Sequence, residues 1–381
     1  MKIALVIERF EPRRGGRERS TEQIARGLAA RGHEVTVLCQ RGRECEGVAV
    51  EPLATMGLGR AAKLRSFVQA VQRRTGGGAF DVVHAMLPVP GANVYQPRGG
   101  TVPAQQEAGL RRRDPLSRAL AAATEPLRKH RAAMADLERQ VMGDAGTACL
   151  AVSRMVAEEF REHYNREHGV RVVYNAVDVP NWSEEQRADH RQRLRYRLEV
   201  EPETPVFITV ATNFELKGVQ ESIAAFAEWF HRDPTRKDAR LIVIGREMIE
   251  GYQRAAGLRD VGRMVQFLAP TDEVFPWYCA ADACVLLSWY DPCSRVVLEA
   301  ARWGLPSVTT IFNGAAEVLA GGAGIVVSSP RDKRAVAAAL DELSDPARRA
   351  ARRERCAALD ERLGMDRHIE ELLVTYEEVR R

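Results

Sequence analysis

The sequence predicts an α/β protein made of two doubly wound domains, each a parallel sheet with helices on both faces, and three observations predict it. The chain has 381 residues, more than one hydrophobic core usually serves, so two domains are the expectation. Short apolar runs alternate with amphipathic helical stretches, the pattern of successive β-α-β units. These runs form two series, parted by the segment from Asn175 to Glu203 with its charged stretch Ser183 to Arg197.

The first series opens with a strand from Lys2 to Ile7, the loop Arg13-Arg14-Gly15-Gly16, a helix from Glu18 to Ala30 and a strand from Glu34 to Cys39. Further strands are expected at Asp81 to Val83, Thr147 to Val152 and Val170 to Tyr174. The second series starts at Pro205 to Val210 and continues at Arg240 to Gly245, Met264 to Leu268, Ala283 to Leu287, Pro306 to Ile311 and Ile325 to Val327. A hinge near Asp178 gives domains 1–178 and 179–365, with a terminal helix 366–381 after Gly364 that is expected to pack back on the first domain. Ligands of doubly wound sheets lie outside the carboxyl ends of the strands, so a cleft between the two domains is where a substrate is expected.

Composition narrows the function classes. Hydrophobic residues at 45% and charged residues at 28% fit a folded protein and exclude disorder along most of the length. A net charge of +4 is too small to imply a nucleic-acid partner. The seven cysteines lack a Cys-x-x-Cys pair or a histidine at zinc spacing, so neither a disulfide framework nor a metal site is expected, and reduced thiols in a cytoplasmic protein fit. The N-terminus has a five-residue apolar run before Glu8 and reads as a buried strand rather than a signal peptide. No apolar stretch has the length of a membrane span.

The chemistry concentrates in Tyr290-Asp291-Pro292-Cys293-Ser294-Arg295-Val296-Val297-Leu298-Glu299, followed by Gly304-Leu305-Pro306. It joins a strand to a helix, and its two acids stand eight residues apart, a little over two helical turns, so both can lie on one side of the helix. The helix N-terminus offers unpaired N–H groups and a positive dipole end, with the amides of Cys293, Ser294 and Arg295 as candidate seats for a diphosphate. An N-capping Asp291 with a solvated Glu299 is the plainer alternative.

This segment resembles glycosyltransferase family 4, the retaining glycosyltransferases of the GT-B fold, whose signature is E-x(7)-E, then Gly-Leu-Pro, then a G-G-x-x-E turn. Asp291 stands in place of the first glutamate, Glu299 matches the second, and Asn313-Gly314-Ala315-Ala316-Glu317 matches the turn with Asn313 for its first glycine. The resemblance implies that Glu299 binds the ribose hydroxyls of a nucleotide sugar and that Asp291 contacts the donor sugar and braces the transition state. It implies that Lys217, in Asn213-Phe214-Glu215-Leu216-Lys217-Gly218, faces the donor diphosphate, and that Gly15 and Gly16 let backbone approach the donor. Glu317 and His84, the latter at a strand's carboxyl end, are possible acceptor or sugar contacts, with a core or loop histidine as the alternative for His84. Pro90-Gly91-Ala92-Asn93-Val94-Tyr95 is similar to the P-G-L-D-V-Y of lipopolysaccharide core glucosyltransferases, though the acid that follows in those enzymes falls near Gly99 here.

The expected activity is retaining transfer of a hexose, glucose first, from a nucleotide sugar, UDP-glucose first, to a saccharide or lipid-linked acceptor in lipopolysaccharide or cell-envelope glycan synthesis. No other cofactor is expected, and the lack of an Asp-x-Asp motif fits a reaction without a metal. A nucleotide-sugar-binding protein without turnover and a sugar-nucleotide epimerase are the alternatives. Residues 110–131 carry seven Lys/Arg against Asp114 and Glu125, interleaved with Leu110, Leu116, Leu120 and Leu127. Such a segment can lie on an anionic membrane, placing the protein peripherally on the inner face of the cell membrane, or form a solvated helical excursion.

Overall fold

A computed structural model describes residues 1–12, 15–124 and 128–380. It divides into two compact units, one comprising Met1–Ala176 with Gly364–Arg381 and the other Val177–Leu363. The first holds a parallel sheet with seven strands among the described residues: β1 Lys2–Val6, β2 Glu34–Cys39, β3 Ala49–Pro52, β4 Val82–Ala85, β5 Val94–Tyr95, β6 Ala148–Ala151 and β7 Val170–Val172. Their spatial order is β3-β2-β1-β4-β5-β6-β7. Strands β3 and β5 escape the sequence pattern, because Ala49-Val50-Glu51-Pro52 is a half-polar edge and Val94-Tyr95 is two residues in a Pro/Gly-rich stretch.

Central strands of a parallel sheet are covered on both faces and so are apolar throughout. Strand β1 shows this: after exposed Lys2 all four residues are buried. Ile3 and Leu5 point to a core with Ile24 and Leu28 of helix Gly16–Ala30 and with Ile369, Leu372 and Tyr376 of helix Met365–Val379. Ala4 and Val6 point the other way, onto Leu64, Phe67, Val68 and Val71 of helix Gly59–Thr75. The terminal helix is therefore part of the first unit's core.

The second unit has six strands among the described residues: β8 Val206–Ala211, β9 Arg240–Gly245, β10 Val265–Leu268, β11 Ala283–Leu286, β12 Ser307–Thr310 and β13 Gly324–Val327. Their order, β10-β9-β8-β11-β12-β13, is the same winding as in the first sheet. Phe207 faces Ile223, Phe226 and Trp229 of helix Val219–Arg232, while Ile208 faces Phe275, Tyr278, Ala300 and Trp303. Trp229 is fully buried and donates from Nε1 to Asp341 at 3.0 Å. In each sheet the order reverses beside its first strand, and that switch point is where the loops at the carboxyl ends part and leave a crevice.

Candidate functional site

In the second unit the switch point lies between β8 and β11, which pair through Phe207–Ala283 and Ile208–Cys284. The loop after β8 runs from Thr212 to Gly218, and the loop after β11 from Leu287 to Ser294. The two are stitched together by Trp289 N–H donating to Leu216 C=O at 2.9 Å. Gly218 makes the contact possible. Its φ is +67°, and a Cβ there would stand 2.1 Å from the Leu287 carbonyl oxygen, so a side chain would force the loops apart.

The adjacent Lys217 is thereby brought against Asp291, with Nζ 2.5 Å from Oδ2. The side chains are 20% and 11% exposed, so solvent screens the pair only in part. Asp291 is also held by its backbone: its N–H donates to Phe312 C=O and its C=O accepts from Gly314 N–H, both at 2.9 Å. The turn that follows β12 thus fixes the acid's position.

Asn313 does more than replace a glycine. Its buried Oδ1 accepts from the N–H of Ser294 at 3.2 Å and of Ala315 at 3.1 Å, and its Nδ2 donates to Thr309 Oγ1 at 2.9 Å. Ser294 is the N-cap of helix Arg295–Arg302, its Oγ accepting from Val297 N–H. The Ser294 amide, one of the expected diphosphate seats, is therefore engaged by Asn313. Arg295 and Cys293 stand at the same helix start, and Cys293 is buried. Glu299 lies one turn along, with Oε1 3.3 Å from Arg295 Nη2 and both side chains largely buried.

The remaining expected residues are placed as follows. Glu317 is half-buried in the first turn of helix Ala316–Leu319. Gly15 is the N-cap of helix Gly16–Ala30, with φ −178°, extended backbone that any residue adopts, while Arg13 and Arg14 lie outside the described residues. His84 is fully buried, as in the core-histidine alternative, its Nδ1 2.6 Å from the Tyr376 hydroxyl. Burial, reinforced by the Arg98 guanidinium, pushes its pKa down to about 3, which favours a neutral imidazole under the terminal helix.

Two features of the site escaped sequence reasoning. One is Asn313, whose signal was an amide side chain able to accept two N–H bonds where the family has a glycine. The other is the wall behind Lys217, where Trp289 Nε1 donates to Glu221 Oε1 at 3.2 Å and the Arg331 guanidinium lies 4.9 Å from the Trp289 ring centroid. Burial raises the proton affinity of Glu221. The arrangement offers a cation, a helix start and two carboxylates within one strand-to-helix junction, a set suited to a phosphorylated, hydroxyl-rich ligand.

Comparison with known proteins agrees. The profile described as Glycosyltransferase Family 4 matches residues 14–180, and that described as Glycosyl transferases group 1 matches residues 204–345. The lipopolysaccharide glucosyltransferase WaaG of Escherichia coli K12 is 25% identical over 342 residues, covering 87% of this chain and 86% of its own. A crystal structure of WaaG superposes with a TM-score of 0.79 at 21% identity, covering 97% of this chain and 98% of that one. Anabaena Alr3699/HepE, solved in complex with UDP and glucose, superposes with a TM-score of 0.72 at 18% identity over 99% of each chain. This chain belongs to glycosyltransferase family 4 and is a hexosyltransferase of the GT-B fold that uses a nucleotide sugar.

Proposed function

We propose that the chain transfers glucose from UDP-glucose, with retention, to a saccharide or lipid-linked acceptor of lipopolysaccharide or a related envelope glycan, without a metal. The observation that carries this reading is the Lys217–Asp291 pair, held at the mouth of the helix that bears Glu299. Similarity to WaaG over most of both chains supports the glucose and lipopolysaccharide parts.

In this mechanism Lys217 turns from Asp291 to the donor diphosphate, assisted by amides at the start of helix Arg295–Arg302, and Glu299 receives the ribose hydroxyls. Asp291, relieved of its lysine, faces the sugar as positive charge builds at its anomeric carbon. The bond from that carbon to the phosphate oxygen breaks and the bond to the acceptor oxygen forms on the same face. The acceptor's proton passes to the departing phosphate oxygen, so no protein base is needed. Preorganised charge and positioning supply the acceleration.

The test is product formation and donor hydrolysis across a panel of nucleotide sugars, with and without EDTA. UDP-glucose turnover that persists in EDTA, with an α-linked product, is expected; loss on chelation or an inverted product overturns the reading.

The basic segment supports peripheral binding to the inner face of the cell membrane. Leu116 is 85% exposed in helix Pro115–Thr124, among Arg111, Arg112, Arg113 and Arg118, while residues 125–127 lie outside the described residues. Among the described residues no helix is long and apolar enough to cross a membrane. Flotation with vesicles containing anionic lipid, compared with neutral ones, is the check, and equal recovery rejects the electrostatic attachment.

A further inference from the structure

A cavity of the same unit, about 280 Å³, lies at the opposite ends of the strands from Lys217 and Asp291. Its walls come from helix Glu184–Arg197, from Tyr278 to Ala281 just before β11, and from Trp303 to Leu305 just before β12. These are the amino ends of the strands whose carboxyl ends carry the donor site.

Three guanidinium groups line it: Arg187, Arg191 and Arg353. Arg191 is satisfied, donating to the carbonyls of Cys279, Ala280 and Ala281 and to Asp282 at 2.9 Å. Arg187 lies 3.8 Å from the centroid of Trp303, and its buried Nε has no partner among the described residues. Arg353, on an exposed position of its helix, reaches the cavity and makes no hydrogen bond or ion pair among the described residues, and desolvation there together with the charges of Arg191 and Arg349 depresses its proton affinity. All three guanidinium groups line one cavity together with Cys279, whose thiol each of them influences electrostatically.

The counter-charge nearby is spoken for. Asp282 already serves Arg191, Arg195 and Arg349, and Glu184 is exposed at the rim. Capping of the Cys279 to Ala281 carbonyls accounts for Arg191 and for Arg195, which donates to Ala280 C=O at 2.9 Å. It accounts for neither Arg187 nor Arg353.

We infer that this cavity is an oxyanion site, separate from the nucleotide-sugar site, in which Arg187, Arg191 and Arg353 receive a phosphoryl group against the wall formed by Trp303 and Tyr278. A multiply charged oxyanion removes the mutual repulsion and gives the unmatched donors acceptors at once. The group is either free inorganic phosphate or the phosphate of a small monoester. Trp303 directly follows the helix that carries Glu299, donating to the Glu299 carbonyl at 2.9 Å, so an occupant here touches the same helix as the donor.

The experiment is thermal unfolding of the full chain in rising inorganic phosphate, against sodium chloride at matched ionic strength, with glycerol phosphate as a second arm. A saturable rise in Tm beyond the chloride control is expected for the wild-type chain and for Lys217→Ala, which excludes the donor diphosphate seat as its source. Arg187→Ala and Arg353→Ala should each weaken the apparent affinity by about tenfold or more. In chloride alone Arg353→Ala should unfold at or above the wild-type temperature, because it removes repulsion and no bond. Tighter binding of glycerol phosphate assigns the site to a phosphomonoester, and equal binding to free phosphate. A rise no larger than that in chloride, one unchanged in both arginine variants, or one abolished by Lys217→Ala overturns the proposal.

Discussion

Strand β11 has an aspartate beyond each end, and the two do opposite work. Asp282, at the amino end, is 3% exposed and bound by Arg191, Arg195 and Arg349, while its Oδ2 also accepts the Val206 N–H at 2.9 Å. Asp291, past the carboxyl end, has one cationic side-chain partner among the ion pairs described, Lys217, and keeps some access to solvent. Both pairs look alike in a tally of ion pairs. The difference is which ends of the strands they occupy: at the amino ends the arginines of helix Glu184–Arg197 reach Asp282, whereas the carboxyl ends are where the chain order opens a crevice. An acid saturated with partners holds structure. One with a single exchangeable partner is available for chemistry.

Removing each acid or its partner should separate the two roles. The largest effect on stability is expected from Asp282→Ala, which leaves buried arginines uncompensated and should cost about 3–5 kcal/mol, read from urea unfolding. A loss below about 1 kcal/mol would mean that the arginines find other acceptors and that Asp282 holds no more structure than Asp291 does. Lys217→Ala should reverse the pattern: turnover falls about 10²- to 10³-fold while stability changes by about 1 kcal/mol or less. Full activity in that variant would remove Lys217 from catalysis.

Much of this was legible in the chain, for reasons that differ by element. Strands with unbroken apolar runs, such as Ile3 to Val6 and Leu241 to Ile244, announced themselves because both faces are covered. The Asp291–Glu299 spacing and Lys217-Gly218 could be read because together they resemble the motifs of glycosyltransferase family 4, whereas each alone reads equally as a capped helix start or a solvated loop. What could not be read was partnership across distance. Nothing local in Asn313 says that its amide braces Ser294, or in Lys217 that it meets Asp291. His84 left two readings open because a strand's carboxyl end is accessible only if nothing covers it, and its cover, Tyr376, lies 292 residues away.

The most gradual expected effect, spread over several pH units, concerns that histidine and tests the first unit against the second. With its folded pKa depressed to about 3 and an ordinary unfolded value near 6.5, the unfolded chain binds the extra proton between these limits. Stability should therefore be fully present above pH 6.5 and fall as pH drops toward 3, by about 1 kcal/mol per pH unit for each such histidine. His368, buried and shifted in the same direction, adds to the slope. Replacing His84 with Gln should flatten the acid limb of the pH–stability curve, and an unchanged limb would show that His84 keeps its proton when folded.

The terminal helix has a consequence for synthesis. Ile369, Leu372 and Tyr376 fill the same core as Ile3 and Leu5, so the half of the molecule that leaves the ribosome first lacks part of its interior until residue 376 has emerged. The half translated second is continuous from Val177 to Leu363 and has its whole interior sooner. Nascent chains stalled before Met365 should thus hold a finished second unit and a first unit with an open apolar face, a stage at which a holding chaperone has a surface to grip.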